Sequence, residues 1–175
     1  MRRLAFIIAA CIPIFASAAP ALAVGTVLLA NDGQYYSASG PSWRWHTDWS
    51  EGFCGRVASW CSPKQFRWTY KTQGFDYDAQ NRAVWRNPYP VSAFSRVYAF
   101  IPRRDATATI EYAVRYDSAS YARTTVAQTL YYDQWVPITP SSSLVRFVNE
   151  IELDDASFYG STANKVAFDE IKIEN

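Results

Sequence analysis

Alternating hydrophobic and polar residues dominate the second half of the chain. In the segment 110–116 every second residue is hydrophobic, and Glu111 and Arg115 lie between them. A period of two is typical of a half-buried β-strand. The nearly continuous apolar run 97–101 ends at Pro102 and predicts a strand that is buried on both faces.

Other short segments carry strand patterns, and helical periodicity is almost absent. The further predicted strands are 65–70, 83–86, 124–130, 134–138, 150–153 and 166–173. Turn-forming residues such as Asn87-Pro88 and Asp117-Ser118 separate them. Many short strands with few helices predict an all-β fold, an antiparallel two-sheet β-sandwich of the jelly-roll-like kind.

The segment 42–62 differs, because it is rich in aromatic residues and has little clean alternation. It predicts a long ordered loop, and long ordered loops are often functional.

The N-terminal residues have the pattern of a secretory signal peptide. Arg2-Arg3 precede the apolar run 4–15, and Ala21-Leu22-Ala23 is a cleavage site of the Ala-x-Ala kind. We therefore expect a signal peptide at 1–23, a single β-sandwich domain at 24–175, and secretion. The apolar run is too short for a membrane span. Lipid anchoring at Cys11 is the less favoured alternative, since the apolar run before it is short and hydrophobic residues continue after it.

The charge balance argues against two classes of partner. Removal of Arg2 and Arg3 changes 17 basic and 16 acidic residues to 15 and 16. A nearly neutral chain has no electrostatic case for binding nucleic acid or an anionic membrane surface.

Two cysteines, Cys54 and Cys61, remain after signal removal. In an exported chain such a pair predicts a disulfide, which would close the short loop between them. Metal binding is the alternative, but a zinc site needs about four ligands and His46 is the only histidine.

An ordered set of motifs resembles the golvesin C-terminal-like domain, also described as the xanthan-lyase carbohydrate-binding-like domain. The motifs are Asn31-Asp32, YSASG at 36–40, FRWTY at 66–70, AVWR at 83–86, VYAFIP at 97–102, VAQ at 126–128, QWV at 134–136, LDDA at 153–156 and VAFDEI at 166–171. Two features depart from the family pattern: residues 137–140 replace a glycine-containing turn, and the 54–61 loop resembles an insertion. The resemblance implies an extracellular β-sandwich whose inferred role is carbohydrate binding, without established catalytic residues.

Aromatic residues are the candidate ligand-binding positions. A flat indole ring suits the apolar face of a sugar, and nearby polar groups would fix the hydroxyls. The candidates are Trp43, Trp45, Trp49, Trp60 and Tyr132, with Arg44, His46, Asp48, Glu51 and Arg56 as polar partners. The alternative is that these tryptophans pack on one another around the disulfide. We expect the strand tryptophans Trp68, Trp85 and Trp135 to be buried.

Asp169 shares a strand face with two isoleucines, so we expect a carboxylate that is buried or at the strand's entrance. A buried carboxylate must be hydrogen-bonded, ion-paired or metal-bound. The favoured interpretation is hydrogen bonding or pairing with an arginine. A structural Ca²⁺ site with Asp32, Asp154 or Asp155 is the alternative, and no other cofactor is predicted.

No catalytic arrangement stands out. A Ser–His–Asp set would have to use His46, no Gly-x-Ser-x-Gly motif exists, and a disulfide would remove both candidate thiols. The leading hypothesis is therefore an exported, non-catalytic module that binds a polysaccharide or cell-surface glycan. An extracellular structural or protein-interaction domain is the alternative, and an unrecognised hydrolase is less favoured.

Overall fold

A computed structural model describes residues 25–49, 65–74, 80–90, 92–117, 119–140 and 144–175. The described residues form β-strands joined by turns, with two 3-10 turns at Ser42–Arg44 and Gln128–Leu130. The strands are β1 (Thr26–Leu29), β2 (Tyr36–Ser39), β3 (His46–Asp48), β4 (Phe66–Tyr70), β5 (Arg82–Arg86), β6 (Arg96–Ile101), β7 (Thr109–Tyr116), β8 (Ser120–Ala127), β9 (Gln134–Pro137), β10 (Val148–Asp154), β11 (Lys165–Phe168) and β12 (Ile171–Glu174). No helix in these ranges has the length and apolar character that crossing a membrane requires.

The described strands pair into three antiparallel sheets. The sheet orders are β1-β12-β6-β9, β2-β5-β10-β7-β8 and β11-β4-β3. All three sheets contribute side chains to one hydrophobic core, which includes Ile173 of the first, Ile151 of the second and Phe66 of the third. The all-β prediction is confirmed, and the arrangement is consistent with a β-sandwich.

The alternation in the sequence explains which strand faces form the core. In β7, Ile110, Tyr112 and Val114 are buried, whereas Glu111 on the opposite face is exposed. In β6, the side chains on both faces are mostly buried, as the apolar run predicts. The half-buried strand and the strand covered on both faces are therefore confirmed.

The segment 166–173 is two strands, so its prediction as one continuous strand is wrong. β11 pairs with β4, whereas β12 pairs with β1 and β6 in a different sheet. The chain passes from one sheet to the other at Asp169-Glu170. Burial continues across this break, with Asp169 only 3% exposed, so the hydrophobic pattern contains no sign of the change of sheet.

The loop prediction for 42–62 is also only partly right. Its described part contains a 3-10 turn and β3, which pairs with β4. The remainder lies outside the described residues, together with the predicted disulfide cysteines Cys54 and Cys61 and the predicted signal peptide.

The strand tryptophans differ from one another in burial. Trp85 is buried as expected, but Trp68 and Trp135 are only half-buried. A lysine ammonium lies over each of their rings: Lys165 over Trp68 at 4.2 Å and Lys172 over Trp135 at 5.1 Å from the ring centroid. The expectation that all three are core residues is therefore corrected for two of them.

Candidate ligand-binding cleft

The 3-10 turn that carries Trp43 is fixed by the residues just before it. Gly40 has φ +97°, and a Cβ atom there would lie 2.2 Å from the carbonyl oxygen of Gln80. The Asn81 side chain donates a hydrogen bond of 3.1 Å to the Pro41 carbonyl. Glycine therefore allows a close approach that no other residue could make, and the turn then presents Trp43 with 77% of its surface exposed.

Arg44 ties the same turn to the strands behind it. Its guanidinium donates a 2.8 Å hydrogen bond to the Tyr70 carbonyl and lies 3.8 Å from a carboxylate oxygen of Asp155. Asp155 is completely buried and accepts hydrogen bonds from the Thr72 hydroxyl and the Asn81 backbone N–H. Burial raises the pKa of Asp155, while these donors and Arg44 act in the opposite direction. The network fixes the position of Arg44 relative to β4.

A row of aromatic rings continues from the turn across β3 and β4. His46 and Trp68 are cross-strand partners whose rings stack at 4.1 Å. Tyr70 stands edge-on to Trp68 at 5.3 Å, two residues further along the same strand. Lys165, the partner of Tyr70 on β11, lies over the Trp68 ring and pairs with Asp105. Cross-strand pairing therefore produces this row.

A cleft of about 490 Å³ lies beside these rings, and we call it the aromatic cleft. Its lining residues are Trp43, Arg44, His46, Tyr70, Lys71, Thr72, Gln73 and Thr162. Trp43 and Tyr70, at 77% and 45% exposure, offer apolar ring surface. Hydroxyl, amide and cationic groups surround that surface. This combination suits a ligand with one apolar face and many hydrogen-bonding groups, such as a sugar.

Lys71 is the unusual residue of the aromatic cleft. It is only 2% exposed, and its ammonium donates a 2.7 Å hydrogen bond to the Ser157 carbonyl. Burial lowers the pKa of Lys71. A buried cation normally has an anionic partner, but no carboxylate within the described ranges forms an ion pair with Lys71.

A larger groove of about 590 Å³ crosses the outer face of the five-stranded sheet, and we call it the charged groove. Its lining residues are Gly74, Gln80, Glu111, Ala113, Arg123, Thr125, Glu152, Asp154, Ala156, Ser157, Phe158 and Tyr159. The ion pair Arg123–Glu111 lies within it, and Glu152 pairs with Arg82 at its side. Both pairs have N–O distances of 2.6 Å, so these carboxylates already have cationic partners.

The structure places the predicted binding residues in different surroundings. Trp43 lines the aromatic cleft, whereas Trp49, which is 59% exposed, lines a separate pocket of about 400 Å³. Trp45 is half-buried, with its ring edge-on to Phe168 at 4.8 Å. Tyr132 is 62% exposed on the connection that leads to β9. Trp60, Glu51 and Arg56 lie outside the described residues.

The four carboxylates considered for a metal site each have a described environment. Asp32 accepts a hydrogen bond from the Gln65 side chain, and Asp154 accepts one from the Ala156 backbone. Asp155 belongs to the Arg44 network, and Asp169 is buried as predicted. In the part of the chain that the structure describes, no three His, Cys, Asp or Glu side chains are grouped so that they could hold a metal ion.

Five residues that line the cleft were not predicted from the sequence: Tyr70, Lys71, Thr72, Gln73 and Thr162. The alternation of β4 could have identified Tyr70, because it falls on the same strand face as Trp68. Thr162 gave no local signal, since it lies far along the chain and only the fold brings it to the cleft.

Comparison with known proteins supports the fold. No protein family and no curated protein matches the sequence. Among solved structures, the chain is similar to a xanthan lyase from Paenibacillus, with a TM-score of 0.55 and 14% sequence identity. The similarity covers 86% of this chain but only 13% of the xanthan lyase. The chain thus shares the fold of a small part of that protein.

Proposed function

We propose that this domain is a non-catalytic module that binds a polysaccharide in the aromatic cleft. The observation that carries the proposal is the exposed indole of Trp43 beside Tyr70 in a cleft whose other side chains are polar. Burying such ring surface against a sugar removes apolar area from water, and the surrounding polar groups can accept or donate hydrogen bonds. The 3-10 turn is already fixed by Gly40 and Arg44, so little ordering would oppose binding.

The similarity to part of a xanthan lyase supports this choice of ligand class, because that protein acts on a polysaccharide. The motifs that resemble the golvesin C-terminal-like domain are in agreement with it. Xanthan is therefore the first polysaccharide to test, followed by peptidoglycan. Within this proposal the protein is exported by its predicted signal peptide and acts outside the cell.

Two contacts support a role without catalysis. His46 is the only histidine of the chain, and its ring is stacked on Trp68 at 4.1 Å. Glu152 in the charged groove is paired with Arg82. Burial raises the pKa of Glu152, but hydrogen bonds from Arg82 and Glu150, together with the charges of Arg82 and Arg123, outweigh it and leave the pKa below its usual value, which disfavours the protonated form that a general acid needs.

The test is affinity electrophoresis and calorimetry of the protein with xanthan, peptidoglycan and neutral glucans. We expect Trp43→Ala and Tyr70→Ala each to weaken binding by about tenfold or more, the size expected for a buried aromatic contact. The Trp43 side chain is mostly exposed, so the melting temperature of Trp43→Ala should be unchanged. Trp49→Ala and Tyr132→Ala are matched controls, because they remove exposed aromatic rings that do not line the aromatic cleft.

Three results would count against the proposal. Loss of binding in Trp49→Ala but not in Trp43→Ala would move the site to another surface. Failure of every polysaccharide to bind would reject the function itself and favour the protein-interaction alternative. Release of new reducing ends during incubation would show that the protein is an enzyme.

A further inference from the structure

The electrostatics of the aromatic cleft are one-sided. Arg44 and Lys71 line it, and among its described lining residues none is acidic. The nearest carboxylate to Arg44 in the described network belongs to Asp155, which is completely buried behind it. A ligand in the cleft therefore meets cationic and neutral groups only. The charged groove is different, because it is lined by the carboxylates of Glu111, Glu152 and Asp154.

Among the cations of the cleft, Lys71 is the one for which the lack of acidic lining residues matters most. Lys71 is only 2% exposed, and its ammonium donates a hydrogen bond to the uncharged carbonyl of Ser157. An ammonium has more N–H donors than this one bond uses. Burial without a counter-ion lowers the pKa of Lys71, with desolvation as the cause. An anionic group bound in the cleft would supply the missing partner and remove part of this cost.

We propose that the aromatic cleft selects acidic polysaccharides, with Lys71 as the residue that distinguishes a carboxylate-bearing sugar from a neutral one. This inference rests on the proposed function, because it specifies the ligand of the same cleft. Trp43 and Tyr70 supply the ring contacts that any sugar could use. Lys71 adds an ion pair, which only an anionic sugar can complete.

The test compares polymers that have the same backbone and differ in charge. Polygalacturonate and hyaluronate are each compared with their fully methyl-esterified forms by calorimetry at low and high NaCl. We expect the acidic form to bind at least about tenfold more tightly at low salt, the factor that corresponds to roughly 1.4 kcal/mol. That preference should shrink as NaCl screens the charges.

Lys71→Met should abolish the preference, so that the acidic and the esterified form of each polymer bind with equal affinity. The variant removes a buried cation without a carboxylate partner, so its melting temperature should equal or exceed that of the original protein. Lys71→Arg should retain the preference. Lys172→Met is the control, because it removes a lysine that lies outside the aromatic cleft, over Tyr98 and Trp135 in the four-stranded sheet.

The outcomes separate this inference from the proposed function. Equal affinity for acidic and esterified polymers, or a preference that persists in Lys71→Met, would overturn the inference. Trp43-dependent binding of neutral glycans would then still support the module's function. Binding of no polymer of either kind would overturn both.

Discussion

Two hydrogen bonds join the side-chain amide of Gln128 to the backbone of Ala167. The Gln128 amide nitrogen donates to the Ala167 carbonyl at 3.0 Å, and the Ala167 N–H donates to the Gln128 side-chain oxygen at 3.1 Å. Ala167 lies on β11, one of the two edge strands of the three-stranded sheet. The glutamine side chain therefore takes the place of a neighbouring strand and satisfies edge groups that would otherwise be buried without partners.

Gln128→Leu should destabilise the protein by about 3 kcal/mol. The change leaves the Ala167 backbone groups and the Tyr112 hydroxyl, which also accepts a hydrogen bond from Gln128, buried without this partner. Urea denaturation measures the difference. Gln134→Leu, at an exposed position of β9, is the control and should change stability by less than about 0.5 kcal/mol. Equal stability of the two variants would show that the Gln128 contacts contribute nothing.

Gly40→Ala should destabilise the protein by about 2 kcal/mol or more, because it combines a positive φ with a contact to the Gln80 backbone. It should also weaken polysaccharide binding, since Gly40 precedes the turn that holds Trp43. Thermal unfolding and calorimetry measure the two effects. Gly33→Ala is the matched control: a Cβ there would lie 3.7 Å from its nearest neighbour, so both properties should be nearly unchanged. A normal melting temperature for Gly40→Ala would contradict the strain argument.

Glu170 should make stability depend on pH. Burial, with a smaller effect from Asp32, raises the pKa of Glu170 from 4.5 to about 7. The folded state therefore keeps the proton over a range in which the unfolded state has lost it. The free energy of unfolding should fall as pH rises from about 4.5 to about 7 and then stay level.

Glu170→Gln should remove the contribution of this residue to the slope. The variant should be more stable than the original protein at pH 8, on the order of 2 kcal/mol, and equally stable near pH 4. Denaturation curves across this pH range measure the difference. Asp32→Asn should reduce the slope partly, because it removes the smaller of the two effects that raise the pKa of Glu170. A variant whose stability follows the same pH curve as the original would rule out Glu170 as the source.

Thr72→Val should cost about 1.5 to 3 kcal/mol, the value of a hydrogen bond to a charged group. The Thr72 hydroxyl donates to the buried Asp155 carboxylate at 2.9 Å, and valine removes this donor while keeping the shape. Thr125→Val on the exposed face of β8 is the control and should have little effect. If the two variants unfold at the same urea concentration, the Asp155 network does not stabilise the fold.

The strands could be predicted from the sequence better than the cleft could, and particular residues show why. Alternation is a local property, so β7 could be predicted from the side chains of 110–116 alone. The separation of β11 from β12 could not, because the residues around Asp169 are buried on both sides of the break. The cleft depends on contacts between distant segments: Trp43 was recognisable as an aromatic residue, but the buried ammonium of Lys71 and the approach of Thr162 follow only from the folded chain.

The pairing of β1 with β12 has a mechanical consequence. The two strands run antiparallel, with Thr26 opposite Glu174, and the Asn175 N–H donates to the Gly25 carbonyl. Gly25 and Asn175, the first and last described residues, therefore lie side by side. A force that pulls these two points apart would act on the backbone hydrogen bonds between β1 and β12 one after another. It would not load all of them at the same time, as a shearing force along the strands would. Under tension, this strand pair would peel open while the five-stranded sheet still carried little load.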